Sequence, residues 1–172
     1  MNLHHSDFEL FRLPQRFAQE RSDIDARWKD LQREAHPDRF AAQGASAQRA
    51  ALQWSVRINE AYQRLKDPLK RAAYLCELRG APVQAENNTA MPPEFLMEQM
   101  EWREALDEAQ DEAELEQLSD RVLQRRREML AQIQQALDLE GDAPAAAQQV
   151  RALMFIERFA ADVESRLAQL GQ

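Results

Sequence analysis

The sequence lacks most of what strands, disulfides and membrane anchors require. It has one cysteine, Cys76, so neither an internal disulfide nor a multi-cysteine metal site can form, and a reducing compartment is expected. Glycine occurs four times in 172 residues, while Ala, Leu, Glu, Gln and Arg abound, a balance that favours helix nearly everywhere. No run alternates β-branched and polar residues, so no strand is expected. No apolar run approaches the ~20 residues that a membrane-crossing helix needs. The N-terminus is polar and lacks the apolar stretch of a secretory signal, so the expected location is the cytoplasm. Of the three histidines, His4 and His5 read as a mobile terminus.

What is present suits a helical protein of one or two small domains, with 44% hydrophobic residues to build a core. Its charge is divided. Residues 1–80 carry 14 Lys and Arg against 11 Asp and Glu, a net of +3, whereas residues 81–172 carry 8 against 19, a net of −11. Opposite signs in the two halves point to two surfaces for two kinds of partner. Nucleic acid is not an expected partner, because phosphate contacts need clustered cations. Between the halves lies RGAPVQAENNTAMPPEF, whose Gly80, Pro82, Asn87, Asn88, Pro92 and Pro93 mark a linker. The expected domains are therefore residues 1–80, a linker over 81–93, and residues 94–172.

In the first half, Ser22 or Asp23 is placed to cap a helix on which Ile24, Trp28, Leu31 and Ala35 share one face. Lys29 and Arg33 fall on the far side, either as a solvated face or as a docking surface. REAHPDRF then stops the helix, since Pro37 cannot continue the ladder and biases His36 away from helical angles. His36 and Asp38 thus flank a fixed, exposed bend, which on its own is also how a turn is closed. An irregular polar loop around Gly44 follows. A second helix, about 47–66, offers Leu52, Ile58, Tyr62 and Leu65 to the core and ends at Lys66-Asp67-Pro68. A third begins on Pro68 and stops at Gly80. Phe8, Leu10, Phe11 and Leu13 supply further packing. The picture is an antiparallel helix pair with its connection exposed at one end.

In the second half, FLMEQMEWREALDE places Phe95, Trp102 and Leu106 on one stripe, enough to anchor a helix. Leu96, Met97 and Met100 fall elsewhere, beside Glu101, Glu104 and Glu108. An apolar centre with a charged rim is the anatomy of a binding patch, although the same residues also suit packing under the linker or against the first domain. Leu118, Val122, Met129, Ile133 and Leu137 define one further helical face, and Ala152, Ile156, Phe159, Val163, Leu167 and Leu170 another. Arg125, Arg126 and Arg127 point to solvent or to the acidic helix. Phe155, on the shoulder of the last face, serves the core, the patch or both. Two long helices and the acidic one make a three-helix bundle.

AHPDRF followed by INEAYQRLKDPLKRAAYL closely resembles the J-domain of DnaJ-type co-chaperones. General J-domains have Tyr and Asp where this chain has Ala35 and Leu75, and neither a Gly/Phe-rich segment nor a Cys-rich module follows. The helical second half instead resembles the HscB branch. That resemblance implies an all-α protein, a J-domain joined to a C-terminal three-helix bundle, acting as a co-chaperone in iron–sulfur cluster assembly. It implies that His36, Pro37 and Asp38 trigger ATP hydrolysis in the DnaK-type chaperone HscA, with Lys29, Arg33 and Arg39 as the basic docking face. It further implies that Leu96, Met97, Met100, Glu101, Glu104, Glu108 and Phe155 hold the cluster scaffold protein IscU. Neither a cofactor nor a metal is expected. Nor is catalysis: His36, Asp38 and Cys76 form no recognisable catalytic set, and the three glutamates lack the Glu-x-x-His partner of a bundle metal site.

Overall fold

A computed structural model describes residues 2–85 and 89–171, so Asn87 and Asn88 of the breaker-rich stretch lie outside the described residues. Its ordered elements are all helical: α1 (Asp7–Phe11), α2 (Arg21–Ala35), α3 (Ala45–Lys66), α4 (Pro68–Leu78), α5 (Pro93–Glu108), α6 (Glu112–Gln134) and α7 (Ala143–Leu170). The chain divides into two compact units, Met1–Leu75 and Cys76–Gln172. The division falls inside α4, five residues before Gly80, where composition alone places it. Beyond Leu75 the chain already belongs to the second unit. The Cys76 thiol lies 3.9 Å from the Ala143 carbonyl, and Arg79 donates to the Leu137 carbonyl at 2.6 Å.

In the first unit, α2 and α3 run antiparallel. Tyr62 stacks on Trp28 with 4.7 Å between ring centres and donates to Asp25 at 2.8 Å. Asn59 accepts from both Trp28 and Gln32, at 3.0 and 2.7 Å, and Ser55 donates to Gln32 at 3.3 Å. Three sequence expectations change here. Helix α2 starts at Arg21 rather than after Ser22 or Asp23, because the Glu20 carbonyl accepts the Asp23 and Ile24 amides. Residues Pro37–Gln43 wind as a 3₁₀ segment rather than an irregular loop, with proline at its first turn and Gly44 (φ +99°) reversing the chain into α3. Leu52 is not a core residue. Ala51, Ile58, Ala61 and Leu65 are buried, and Leu52, one residue round from Ala51, is 56% exposed beside an equally exposed Val56.

The N-terminus is fastened by a charge. A capping box between Ser6 and Glu9 starts α1. Asp7, wholly buried, takes two bonds from Arg64 at 2.6 and 2.9 Å and lies 2.8 Å from the Arg57 guanidinium. The Asp7 amide donates to the Tyr74 hydroxyl at 2.9 Å, so α1 is tied to both α3 and α4.

In the second unit, α5, α6 and α7 form an up-down-up bundle around Leu118, Val122, Met129, Ile133, Ile156, Phe159 and Val163, all buried. Asp111 and Asp142 cap α6 and α7 through the Glu114 and Ala145 amides. A π-helical turn at Gln135–Leu139 ends α6. Leu170, expected on the buried face of α7, is half-exposed in its last turn. The described part of 81–93 is strapped down: Val83 is buried, and the buried Arg151 donates to the Val83 and Ala90 carbonyls, each at 2.9 Å. Of the three adjacent arginines, Arg125 pairs with Glu98 of α5 at 2.8 Å, Arg126 with Glu157 of α7 at 3.1 Å, and Arg127 faces solvent.

Two stability predictions follow from these burials. Removing the Asp7 carboxylate (Asp7→Ala) leaves the mostly buried Arg57 and the partly exposed Arg64 without their counter-charge and should cost about 3 kcal/mol in urea unfolding. Burial also pushes the Cys76 thiol up to about 11, against the smaller opposing pull of Arg79 and Arg151. Below its usual value near 9 the thiol is neutral whether the chain is folded or not. Above that, the unfolded thiol ionises first, so stability falls as pH rises from about 9 to 11. The urea midpoint of wild type should fall more steeply over that range than that of Cys76→Ala, whose remaining alkaline loss comes partly from Tyr74, also raised by burial.

Candidate functional site

Each unit carries one surface on which polar or apolar side chains stand free of its own core. In the first, α2 ends at Ala35, and His36 adopts extended backbone (φ −63°, ψ 129°) as the residue before a proline must. The His36 Nδ1 accepts the Asp38 amide at 3.2 Å and lies 3.6 Å from the Asp38 carboxylate. The two side chains are nevertheless open to solvent, 56% for His36 and 92% for Asp38. The turn is closed by the imidazole and by the Arg39 amide, which donates to the His36 carbonyl at 3.0 Å, so the exposed Asp38 carboxylate is available to a partner's donor.

Cations gather behind this bend. Arg33 is exposed and paired with Asp30 one turn earlier, and Lys29 is exposed one turn earlier on the same flank. Arg39 folds back to donate to the Arg33 carbonyl at 3.1 Å, satisfying one of the orphan acceptors at the end of α2. Gln32, Arg33, His36 and Arg39 line one open groove. Gln32, bonded across to α3, was not legible as part of it. The structure thus brings Arg33, His36 and Arg39 together, leaves Asp38 pointing outward, and half-buries Pro37 beneath them.

In the second unit the surface belongs to α5. Phe95 is fully buried and meets Trp102 edge-on at 5.9 Å and Phe155 edge-on at 5.7 Å. Trp102 and Phe155 each continue to Phe159, at 5.6 and 5.9 Å. Four rings from two helices therefore hold α5 by one stripe. On the opposite side Leu96, Met97 and Met100 are 50, 64 and 70% exposed. They do not pack inside their own bundle.

The acids divide around that patch. Met100, Glu104, Glu108 and the half-buried Phe155 line one open groove of about 580 Å³, together with Arg103 and Asp107. Glu101 lies on the other flank of α5, in a groove with Glu98 and Arg121. Phe155 is stacked into the core ring cluster and half-buried where it lines the groove. Arg103 and Asp107 went unnoticed in the sequence; their i, i+4 spacing on the Met100 flank is the signal that would have found them. Among the described residues no group of three His, Cys, Asp or Glu is arranged to hold a metal ion, and no helix is long and apolar enough to cross a membrane.

Comparison with known proteins supplies the family. Residues 91–164 match the model of the HSCB C-terminal oligomerisation domain. The chain is 49% identical over 173 aligned residues to a Co-chaperone protein HscB homolog of Burkholderia thailandensis, covering 99% of this chain and 98% of that one. Its fold is similar to that of chaperone HscB from Vibrio cholerae (TM-score 0.81, 39% identity, 96% and 99% of the two chains). It is similar also to human co-chaperone protein HscB (TM-score 0.81, 25% identity, 98% and 83%). With an exposed His-Pro-Asp bend on an antiparallel helix pair in the first unit, a helical bundle in the second and relatives matched end to end, the chain belongs to the HscB family of J-type co-chaperones.

Proposed function

We propose that this co-chaperone binds the iron–sulfur scaffold protein IscU, delivers it to the DnaK-type chaperone HscA in the cytoplasm, and stimulates HscA's ATP hydrolysis. The single observation that carries the scaffold half is the open face of α5. Three large apolar side chains stand in water on a helix already anchored by its other side, beside the carboxylates of Glu101, Glu104 and Glu108. Exposed apolar surface of this kind is retained where a partner covers it. Phe155 extends the patch from α7, and the acids select a scaffold surface that carries cations.

The chaperone half rests on the bend. Pro37 fixes the direction in which His36 and Asp38 leave α2, so the backbone that carries both side chains is already ordered at the moment of docking. Asp38 then accepts from a chaperone arginine in a charge-assisted pair, while Lys29, Arg33 and Arg39 raise the rate of encounter with an acidic surface. The chain does no chemistry on ATP. It shifts the partner toward its hydrolysing state by binding that state better.

Two experiments test the halves separately. Asp38→Asn should abolish stimulation of the HscA ATPase while thermal stability and IscU affinity stay at wild-type values, because its side chain is solvent-exposed, and His36→Gln should do the same at a small cost in stability from the lost cap to the Asp38 amide; wild-type stimulation by either variant would end the trigger assignment. Truncation of any one of Leu96, Met97 or Met100 to alanine should weaken IscU binding by about 2 kcal/mol, roughly 30-fold, in calorimetry. A single rim glutamate should cost a few-fold only, since it stays partly hydrated. A folded triple alanine variant that binds IscU undiminished would move the scaffold site to another face.

A further inference from the structure

The methionines of this chain are unequally sheltered. Met129 is fully buried, and Met154 is half-buried on α7. Met91 is half-buried with its sulfur 3.0 Å from the Gln99 amide nitrogen. Met97 and Met100 stand 64 and 70% exposed, three residues apart on α5. The two most accessible thioethers among the described residues therefore sit side by side, at the centre of the apolar face.

A thioether is oxidised by peroxide wherever peroxide reaches it, and the product is a polar side chain with a strong acceptor in place of a soft apolar one. We propose that Met97 and Met100 are an oxidation-sensitive modification site, and that their conversion to sulfoxides by hydrogen peroxide switches off scaffold binding. The inference rests on the assignment of the α5 face to the scaffold. In the step itself, a sulfur lone pair attacks one peroxide oxygen, the O–O bond breaks as the S–O bond forms, and the departing oxygen leaves with both protons as water. Each thioether loses two electrons and one peroxide molecule gains them.

The surroundings decide the consequence. A sulfoxide oxygen brought into an apolar contact needs a donor, and Glu104 and Glu108 next to Met100 are acceptors in their ionised form. Arg103 in the same groove is drawn over the Phe159 ring, 5.8 Å from its centre. Oxidation thus adds unpaired acceptors to a patch whose rim already repels them. The chain's one thiol does not compete for the oxidant, because Cys76 is wholly buried and the reactive species is the thiolate.

The test oxidises this chain alone with hydrogen peroxide and removes the excess with catalase. Sulfoxides are then mapped by peptide mass spectrometry, and IscU affinity is measured by calorimetry. Met97 and Met100 should oxidise before Met129 and Met154, and the affinity should fall roughly tenfold or more. Treatment with methionine sulfoxide reductases should restore it. A Met97→Leu/Met100→Leu variant, whatever its starting affinity, should show the same value before and after peroxide. Unchanged wild-type affinity with both sulfoxides formed, or an equal fall in the double leucine variant, would overturn the switch while leaving the scaffold site standing. Absence of binding before any peroxide would overturn the scaffold assignment and the switch with it.

Discussion

Phe95 packs edge-on against both Trp102 and Phe155, and that contact sets the orientation of α5 about its own axis. A helix buries one stripe of its surface, and the choice of stripe dictates what remains outside. With Phe95, Trp102 and Leu106 inside, Leu96, Met97 and Met100 have no route into the bundle. The ion pair between Arg125 and Glu98 reinforces the same rotation from the α6 side, and the Arg125 guanidinium lies over the Phe95 ring at 5.9 Å. The exposed apolar patch is thus the geometrical remainder of a well-made aromatic contact, held at constant orientation by a core that has no need of it.

The first unit reaches a similar result by a different route. There the polar ladder of Trp28, Asn59, Gln32 and Ser55 holds α2 against α3 almost to the end of α2, so the chain emerges at Ala35 from a fixed position. Proline then supplies the direction, and the 3₁₀ turns from Pro37 return the chain to α3 within a few residues. Because His36 caps the turn with its own ring nitrogen, Asp38 is spared that task. A carboxylate that must meet a partner is in this way relieved of structural duty by its neighbour.

Periodicity made most of the helices readable, and the core positions on α5 and α6, with most of those on α2 and α7, follow from it directly. It failed where an extra apolar residue lay beside a valid stripe. Leu52 neighbours Ala51, and a small alanine that packs tightly looks weaker in the sequence than the leucine it displaces outward. The 3₁₀ turns at Pro37–Gln43 were illegible because their polar composition is that of a loop. Within the sites, the His-Pro-Asp bend and the apolar α5 face could be read, since each is local. The burial of Asp7 could not be read, nor could the strap made by Arg151, because each depends on partners far away in the sequence. The division of the chain shows the same limit. Breakers mark where helix stops, whereas the units are separated by which side chains touch, and Cys76 sits with Ala143 despite belonging to the same helix as Leu75.

The bond between Asp7 and Arg64 also imposes an order of events during synthesis. Asp7 is made well before its partner, since the guanidinium that neutralises it lies 57 positions later in the chain. At ordinary translation rates that is a delay on the order of several seconds, far longer than a short helix takes to form and melt. Until α3 has left the ribosome, Phe8, Leu10 and Phe11 are apolar groups in search of a core on a helix of five residues that has no stability of its own. The nascent α1 segment of a co-chaperone is thereby itself, for that interval, an exposed hydrophobic segment of the kind that chaperones bind.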